Sequence, residues 1–188
     1  MKRLFLAIDY IDDGNIASLT KHLRLSMSKL DKVNWIDSNL FHITLKFIGE
    51  TPEDKVAGII HTINAQTFNF QKFTVEFDQL RIFGNKYHPR IIMLALQPNE
   101  RMMALHASIN KKLRIKNQIK PDFGNFVPHL TLARIHSIDD KKLFWNAIQT
   151  HQNPIVAPLT IDKIVLYESV LQKGYQPKYE VIKTFLLK

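Results

Sequence analysis

Two four-residue segments of this chain carry the same polar side chains in the same order. They are His42-Ile43-Thr44-Leu45 and His129-Leu130-Thr131-Leu132, and their first residues are 87 positions apart. Each segment lies in apolar sequence that predicts a β-strand. Because successive side chains of a strand point to opposite faces, the histidine and the threonine of each segment share one face, and the apolar residues face the core.

An imidazole beside a hydroxyl on each of two strands can carry out acid–base chemistry without a metal ion. An unperturbed histidine titrates near pKa 6.5, roughly, so one imidazole can accept a proton at neutral pH while another donates one. Threonine supplies a short hydroxyl donor for a phosphoryl oxygen. The pattern therefore indicates a phosphate-handling site built from His42, Thr44, His129 and Thr131. The alternative is that each histidine is a hydrogen-bonded residue of a strand core.

The two halves of the chain match beyond these segments. Under the same shift of 87 residues, the apolar run 3–9 overlies the run 90–96, and each run begins with an arginine. In both halves the same features then follow in the same order. A helix-like stretch comes first (12–30 in the first half, 99–115 in the second), then the His-x-Thr strand, and then a pattern typical of a helix start (51–54 and 137–140). A β-α-β-α unit therefore occurs twice. Such a duplication predicts that the two His-x-Thr strands face each other across a cleft.

Length and composition predict one domain that spans residues 1–188. The chain is 45% apolar and contains no cysteine, so it can bury a substantial core, and thiolate chemistry is excluded. Further strands are predicted at 68–80, 160–167 and 179–187. Asp9 interrupts the first apolar run, which indicates a strand rather than a signal peptide, and no run approaches the roughly 20 apolar residues of a membrane span. We expect a cytoplasmic monomer without membrane association.

The balance of charges favours an anionic partner. The chain has 26 Lys and Arg against 17 Asp and Glu, a formal net charge of +9, and nucleic acid is the commonest partner of such a protein. The densest basic stretch is 111–116, with Lys120 beyond it. This stretch could contact an RNA backbone, or it could be a solvated helix end whose cations complement the helix dipole.

Two further basic residues lie close to the motifs. Lys46 is predicted on the same strand face as His42, where it could bind an RNA phosphate or remain a rim lysine without a contact. Arg134 follows His129 by five residues, so an unbroken strand would turn it to the opposite face. Only a bulge or a strand end would bring Arg134 to a bound phosphate.

The remaining histidines lack the motif, and we expect them on the surface or in structural roles. None of their pairs has the helical spacing and acidic partner of a zinc site, so no metal site is predicted. They are His22, His61, His88, His106, His136 and His151.

Several segments together resemble a known family. They are RLFLAID at 3–9, Trp35, HITLKFIGE at 42–50, FVPHLTLAR at 126–134 and LYES at 166–169. They resemble the 2H phosphoesterases, and within them the RNA 2′,3′-cyclic phosphodiesterases, which are also called 2′-5′ RNA ligases. The resemblance covers nearly the whole chain. It implies an α+β fold of two pseudo-symmetric lobes, in which two antiparallel sheets face a central groove and the helices lie outside.

The resemblance also implies a reaction and a role for each motif residue. Family members hydrolyse a 2′,3′-cyclic phosphate at an RNA end to a 2′-phosphate without a metal ion or another cofactor. His42 would donate a proton to the departing 3′-oxygen, and His129 would be the base that activates water. Thr44 and Thr131 would hold the non-bridging oxygens, with Arg134 as a further phosphate contact. A 2′-5′ ligation of RNA ends is a possible side activity.

Two other functions fit the same residues. The site could act on a small cyclic phosphate, such as a cyclic nucleotide, instead of an RNA end. Alternatively, the aromatic strands and basic surface could bind single-stranded RNA without catalysis. The three functions differ in whether oligonucleotides are preferred and in whether RNA binding survives the loss of His42 and His129.

Overall fold

The strand, helix, His-x-Thr strand and helix recur in both halves of the chain, in the predicted order. The computed structural model describes residues 1–122, 124–172 and 174–188. Its elements are β1 (Lys2–Asp9), α1 (Asn15–Leu25), β2 (Lys32–Trp35), a 3₁₀ turn (Ser38–Leu40), β3 (His42–Thr51), α2 (Glu53–Thr67), β4 (Phe73–Val75), β5 (Phe77–Gly84), β6 (Pro89–Leu96), α3 (Glu100–Asn117), β7 (His129–Ser137), α4 (Lys141–Thr150), β8 (Leu159–Ile161), β9 (Lys163–Val170) and β10 (Lys178–Leu186).

The helix boundaries differ from the predicted ones where side chains cap the backbone. The α1 helix begins at Asn15 rather than at Asp12, because the carboxylate of Asp12 accepts hydrogen bonds from the amides of Ile16 and Ala17, at 3.0 and 2.8 Å. It ends at Leu25, five residues before the predicted end. The start of α4 is also shifted. Ser137 remains in β7, and Asp140 caps α4 by accepting from the amide of Leu143 at 2.9 Å. At α2 the helix begins after Pro52 rather than at it.

The strands form one large antiparallel sheet with the two motif strands at its centre. Its order is β10-β9-β1-β3-β7-β6-β5, with β2 also paired to β7, and β4 pairs with β8 in a small second sheet. The predicted α+β fold of antiparallel sheets and outer helices is confirmed. The central contact differs in one detail from our expectation. The strands β3 and β7 do not stand across a cleft but are neighbours, paired only at Ile43 and Leu130.

Two hydrophobic cores lie on the same side of this sheet, one in each lobe. The first packs β1, β3, β9 and β10 against α2 and α3, and the second packs β5, β6 and β7 against α1 and α4. The first helix of each repeat therefore packs in the other lobe. Helix α1 of the first repeat covers the lobe that contains β7, and helix α3 of the second repeat covers the lobe that contains β3. Ile43 enters the first core and its strand partner Leu130 enters the second. The repeats are interlocked, so neither has a complete core of its own.

Each motif strand contains a β-bulge at the matching position. Thr44 pairs with Ala7 but Lys46 pairs with Leu6, which leaves Leu45 as the extra residue of β3. On β7, Thr131 pairs with Met93 and Ala133 with Ile92, so Leu132 is the extra residue. The two extra residues are again 87 positions apart. A bulge reverses the face of every later side chain in its strand, so residues beyond it cannot be assigned by simple alternation.

No helix in the described ranges is long and apolar enough to span a membrane.

We propose that the two lobes unfold as one domain, since each repeat contributes a helix to the other lobe. Phe144 of α4 is fully buried in the second core, and Phe144→Ala should lower the free energy of unfolding by about 3–5 kcal/mol. Calorimetry should show a single unfolding transition in both proteins, and in Phe144→Ala the whole transition should move to a lower temperature. The exposed Tyr87→Ala serves as the control. Two separate transitions, of which Phe144→Ala moves only one, would contradict a single domain.

Candidate active site

The two motif histidines make the same backbone contact. Nδ1 of His42 lies 2.7 Å from the carbonyl oxygen of Leu40, and Nδ1 of His129 lies 2.8 Å from that of Val127. A carbonyl oxygen can only accept, so Nδ1 of each ring carries the proton. The other ring nitrogen, Nε2, is then the one that gains or loses a proton. Both imidazoles are thus oriented for proton transfer through Nε2.

The junction between β3 and β7 brings the two motifs together. With Ile43 opposite Leu130, the antiparallel register sets His42 opposite Thr131 and Thr44 opposite His129. These four side chains lie on the side of the sheet that faces away from the two cores, which we call the groove face. In this register the two histidines are diagonal neighbours, and both threonines lie on the same face as the imidazoles.

A pocket of about 960 Å³ opens onto the groove face. His42, Thr44, Thr131 and Arg134 are among its lining residues, whereas His129, which is partly buried, lies outside that lining. The volume is in the range of sites that bind small organic ligands. A ligand group at this end of the pocket would contact both threonine hydroxyls and an arginine.

The rest of the pocket lining comes from other segments of the chain, and we call it the pocket wall. It includes Arg24, Trp35, Tyr175 and Tyr179. The Arg24 guanidinium lies 5.4 Å from the centre of the Trp35 ring, and the side-chain amide of Gln176 donates to the carbonyl oxygen of Trp35 at 3.0 Å. The wall thus combines aromatic surface with positive charge, a composition suited to a base joined to a phosphate.

His42 is packed among aromatic rings. Its ring centre lies 5.2 Å from that of Phe5 and 5.3 Å from that of Tyr179, the latter edge to face. Burial lowers the pKa of His42, and electrostatic repulsion from Arg134 and His129 lowers it further, while the Leu40 carbonyl and Asp9 oppose the shift. His42 is therefore more readily neutral than an exposed histidine when the site is empty.

Asp9 is held beside His42 by a tyrosine. It is the register partner of His42 on β1, and the Tyr167 hydroxyl donates to its carboxylate at 2.6 Å. Burial together with this hydrogen bond raises the pKa of Tyr167, so its hydroxyl stays protonated as a donor at neutral pH. Both residues lie in segments that carry the family resemblance, Asp9 at the end of 3–9 and Tyr167 within 166–169, but the sequence predicts no role for either. Strand pairing brings them together at the site.

Arg134 lies on the groove face. The bulge at Leu132 reverses the strand alternation, so Arg134 lines the pocket together with His42 and Thr131. From the sequence, Arg134 is expected to reach the groove only through a bulge or a strand end, and β7 contains such a bulge. Its positive charge therefore lies in the same pocket as the hydroxyls of Thr44 and Thr131.

The predicted face of Lys46 is wrong. The bulge at Leu45 turns Lys46 to the core side of β3, where it is 2% exposed. Its ammonium donates to the carbonyl oxygen of Lys120 and to a carboxylate oxygen of Asp122, each at 2.8 Å. Lys46 therefore anchors the segment between α3 and β7, which also carries the Val127 carbonyl that orients His129. It does not stand on the rim of the groove.

The basic stretch 111–116 also lies away from the groove face. It belongs to α3, which covers the first core on the other side of the sheet. Among the remaining histidines, His106 of α3 stacks on Phe126 at 3.9 Å and lies 3.3 Å from Asp122, which is a structural role. Within the part of the chain that the structure describes, no cluster of three or more His, Asp or Glu side chains could hold a metal ion.

The chain is similar to proteins of one family along nearly its whole length. A family model described as the 2′-5′ RNA ligase superfamily matches residues 16–172. The RNA 2′,3′-cyclic phosphodiesterase of Methanocaldococcus jannaschii is 29% identical over 96% of this chain and 98% of its own. The protein of the same name from Archaeoglobus fulgidus is 32% identical over 71% of this chain and 72% of its own.

Solved structures share the fold. E. coli LigT complexed with 3′-AMP superposes with a TM-score of 0.76 at 19% identity and covers 99% of this chain and 98% of its own. The protein TT0787 of Thermus thermophilus gives the same TM-score and identity over 98% and 97% of the two chains. Since the identity is low, these structures bear on the architecture and not on the ligand.

The Lys46–Asp122 pair should respond asymmetrically to substitution. Asp122→Ala leaves a buried ammonium without its counter-charge, which should cost about 3 kcal/mol of unfolding free energy. Lys46→Met should cost less, because Asp122 is 33% exposed to water and also lies near donors of His106 and Asn110.

Urea denaturation measures both effects. Lys178→Met, in an exposed ion pair with Glu180, is the control and should change stability by less than about 1 kcal/mol. A larger loss for Lys46→Met than for Asp122→Ala would contradict this account of the buried pair.

The pKa of His42 should respond to an anion in the pocket. In the free protein, NMR titration of the imidazole should give a pKa below its usual value of 6.5, because burial opposes the charged form. Inorganic phosphate bound beside Thr44 and Thr131 should raise that pKa, since a negative charge favours imidazolium. The His42→Gln variant lacks this imidazole, so the resonance missing from its spectrum identifies His42. A pKa at or above 6.5 without phosphate would contradict the predicted burial effect.

Proposed function

The chain belongs to the 2′-5′ RNA ligase superfamily, and from this premise we propose that it hydrolyses a terminal RNA 2′,3′-cyclic phosphate to a 2′-phosphate. This membership confirms the resemblance indicated by the motifs, and the enzyme class is RNA 2′,3′-cyclic phosphodiesterase. The main observation that supports this reaction is the pair of imidazoles on adjoining strands. Each imidazole has Nδ1 hydrogen-bonded to a carbonyl oxygen, which leaves Nε2 for proton transfer.

The proposed step exchanges one phosphorus–oxygen bond for another. Water attacks phosphorus and gives its proton to Nε2 of His129, while the bond from phosphorus to the 3′-oxygen breaks. Nε2 of His42 donates the proton that the 3′-oxygen needs to leave as a hydroxyl. The products are a 2′-phosphate and a free 3′-hydroxyl, and the two histidines have exchanged protonation states. Each proton transfer supplies about a hundred- to ten-thousandfold of rate.

The low pKa of His42 fits the donor role only when substrate is bound. An acid must be protonated before the reaction, and burial disfavours the imidazolium form in the empty site. The negative charge of the cyclic phosphate offsets this effect and raises the pKa of His42 in the complex. The donor is thus charged when substrate is present. The assignment of donor and acceptor follows the family resemblance, and the pH dependence of kcat against that of kcat/KM tests it.

Three side chains are proposed to bind the phosphoryl oxygens. The hydroxyls of Thr44 and Thr131 stand beside the imidazoles on the groove face, and the Arg134 guanidinium lines the same end of the pocket. Hydrogen bonds and positive charge at this place stabilise the charge that builds on the non-bridging oxygens as water attacks. Lys46 has no part in this proposal, because it points to the core side of the sheet.

The wall of the pocket supports RNA as the substrate class. Trp35, Tyr175 and Tyr179 offer surface for a base, and Arg24 adds positive charge. We also propose that the protein acts on RNA as a monomer in the cytoplasm. Joining of RNA ends through a 2′-5′ linkage would use the same groups with exchanged proton roles, and we propose it as a side activity.

A short RNA that ends in a 2′,3′-cyclic phosphate tests the reaction. Incubation in EDTA should yield the 2′-phosphate, because two imidazoles supply both proton transfers. His42→Ala and His129→Ala should each reduce kcat by about a hundred- to ten-thousandfold. His61→Ala is the matched control, since His61 is an exposed histidine of α2, and it should retain full activity.

The other results separate the alternative functions. Faster hydrolysis of a mononucleotide cyclic phosphate than of the oligonucleotide would assign the site to small cyclic phosphates. Salt-sensitive RNA binding that survives both histidine substitutions, without hydrolysis by the wild-type protein, would identify a non-catalytic RNA-binding module.

A further inference from the structure

An exposed aromatic ring lies on the groove face outside the pocket. Phe47 of β3 is 49% exposed, and the Arg3 guanidinium lies 5.2 Å from the centre of its ring. Phe47 pairs with Phe5 in the strand register, and Phe5 contacts the ring of His42, so all three residues share the groove face. Neither Phe47 nor Arg3 lines the pocket.

The matched bulges explain why Phe47 occupies this position. Residue 47 corresponds to residue 134 under the 87-residue shift, and both follow a bulge that returns the strand to the groove face. In one lobe the position carries Arg134, which lines the pocket beside the threonines. In the other lobe it carries a phenylalanine. The two ends of the groove therefore offer different chemistry, a cation at one end and an aromatic surface at the other.

The position of Arg3 adds charge to that surface. Its register partner on β3 is Glu50, yet within the described residues Arg3 forms no ion pair and its guanidinium lies over the Phe47 ring instead. A cation against an aromatic ring leaves both groups available to a nucleotide, the ring to the base and the guanidinium to the base or phosphate. The protein's net charge of +9 agrees with a polyanionic ligand.

We propose that Phe47 and Arg3 form a binding site for the RNA nucleotide that precedes the cyclic phosphate end. The inference rests on the proposed function, which places the terminal phosphate between the two motifs. An RNA strand that leaves this point along β3 passes from Thr44 to Phe47, the next side chain on the groove face. The base stacks on Phe47, and Arg3 contacts the base or its phosphate. This site distinguishes an oligonucleotide end from a free cyclic nucleotide.

Two substrates and three substitutions test the site. We would compare adenosine 2′,3′-cyclic monophosphate with an oligoadenylate that ends in the same cyclic phosphate. Phe47→Leu should lower kcat/KM for the oligonucleotide by roughly 5- to 100-fold, the range for loss of one base–aromatic stack, and should leave the mononucleotide unchanged. Phe47→Tyr keeps a stacking ring and should retain wild-type kcat/KM for both substrates. Arg3→Gln should lower kcat/KM only for the oligonucleotide, and this variant tests the site if the Phe47→Leu protein does not fold.

The chain offers a matched control for the loss of an exposed phenylalanine beside a cation. Phe68, at the end of α2 on the other side of the sheet, is 63% exposed and has the Lys188 ammonium 3.6 Å from its ring centre. Phe68→Leu should change neither kcat/KM value. Equal effects of Phe47→Leu on both substrates, or no effect on either, would overturn the proposed site.

A binding measurement separates this site from the reaction itself. An RNA that ends in a 2′-phosphate and carries 2-aminopurine as its penultimate base should lose fluorescence when the base stacks on Phe47. Quenching by the wild-type protein that Phe47→Leu abolishes supports the site even if no cyclic phosphate is hydrolysed. Quenching that Phe47→Leu leaves unchanged overturns it. Failure of the wild-type protein to hydrolyse either substrate counts against the proposed reaction instead.

Discussion

The contact between Ile43 and Leu130 is the constraint on which the rest of the structure depends. These two residues are the only register pair between the central strands, and their side chains enter different cores. Since side chains alternate along a strand, burying this pair directs the flanking histidines and threonines to the groove face. The same contact lets each lobe pack its own helices. The site thus lies where two lobes, each with its own core, meet at one pair of residues.

The repeated unit forms a symmetric frame, but the residues at matching positions of the frame differ. Both motif strands carry the same bulge, and both histidines bind the carbonyl two residues earlier. Beyond the bulges the faces still match, since positions 46 and 133 turn to the cores and positions 47 and 134 to the groove, but the residue types differ. A repeated backbone therefore presents the cation of Arg134 on one strand and the aromatic ring of Phe47 on the other. Such asymmetry suits a substrate with a phosphate end and a chain of bases.

Burial, rather than sequence, makes the two histidines different. His42 lies between Phe5 and Tyr179, and this burial lowers its pKa. His129 has the same motif and the same backbone contact but lies outside the pocket lining. Loops also hold the two carbonyls differently. The one that binds His42 belongs to a 3₁₀ turn, whereas the one that binds His129 lies in a segment anchored by the buried Lys46.

The sequence by itself determined the repeated unit, the fold class and the shared face of each histidine with its threonine. These features depend on strand periodicity over a few residues, which is a local property. Only the tertiary structure decided the faces of Lys46 and Arg134, because a bulge is defined by the partner strand and leaves no local pattern. It also decided the exchange of helices between lobes and the arrival of Tyr179 beside His42. Both depend on packing between segments remote in sequence, so the chain had to fold before these neighbours existed.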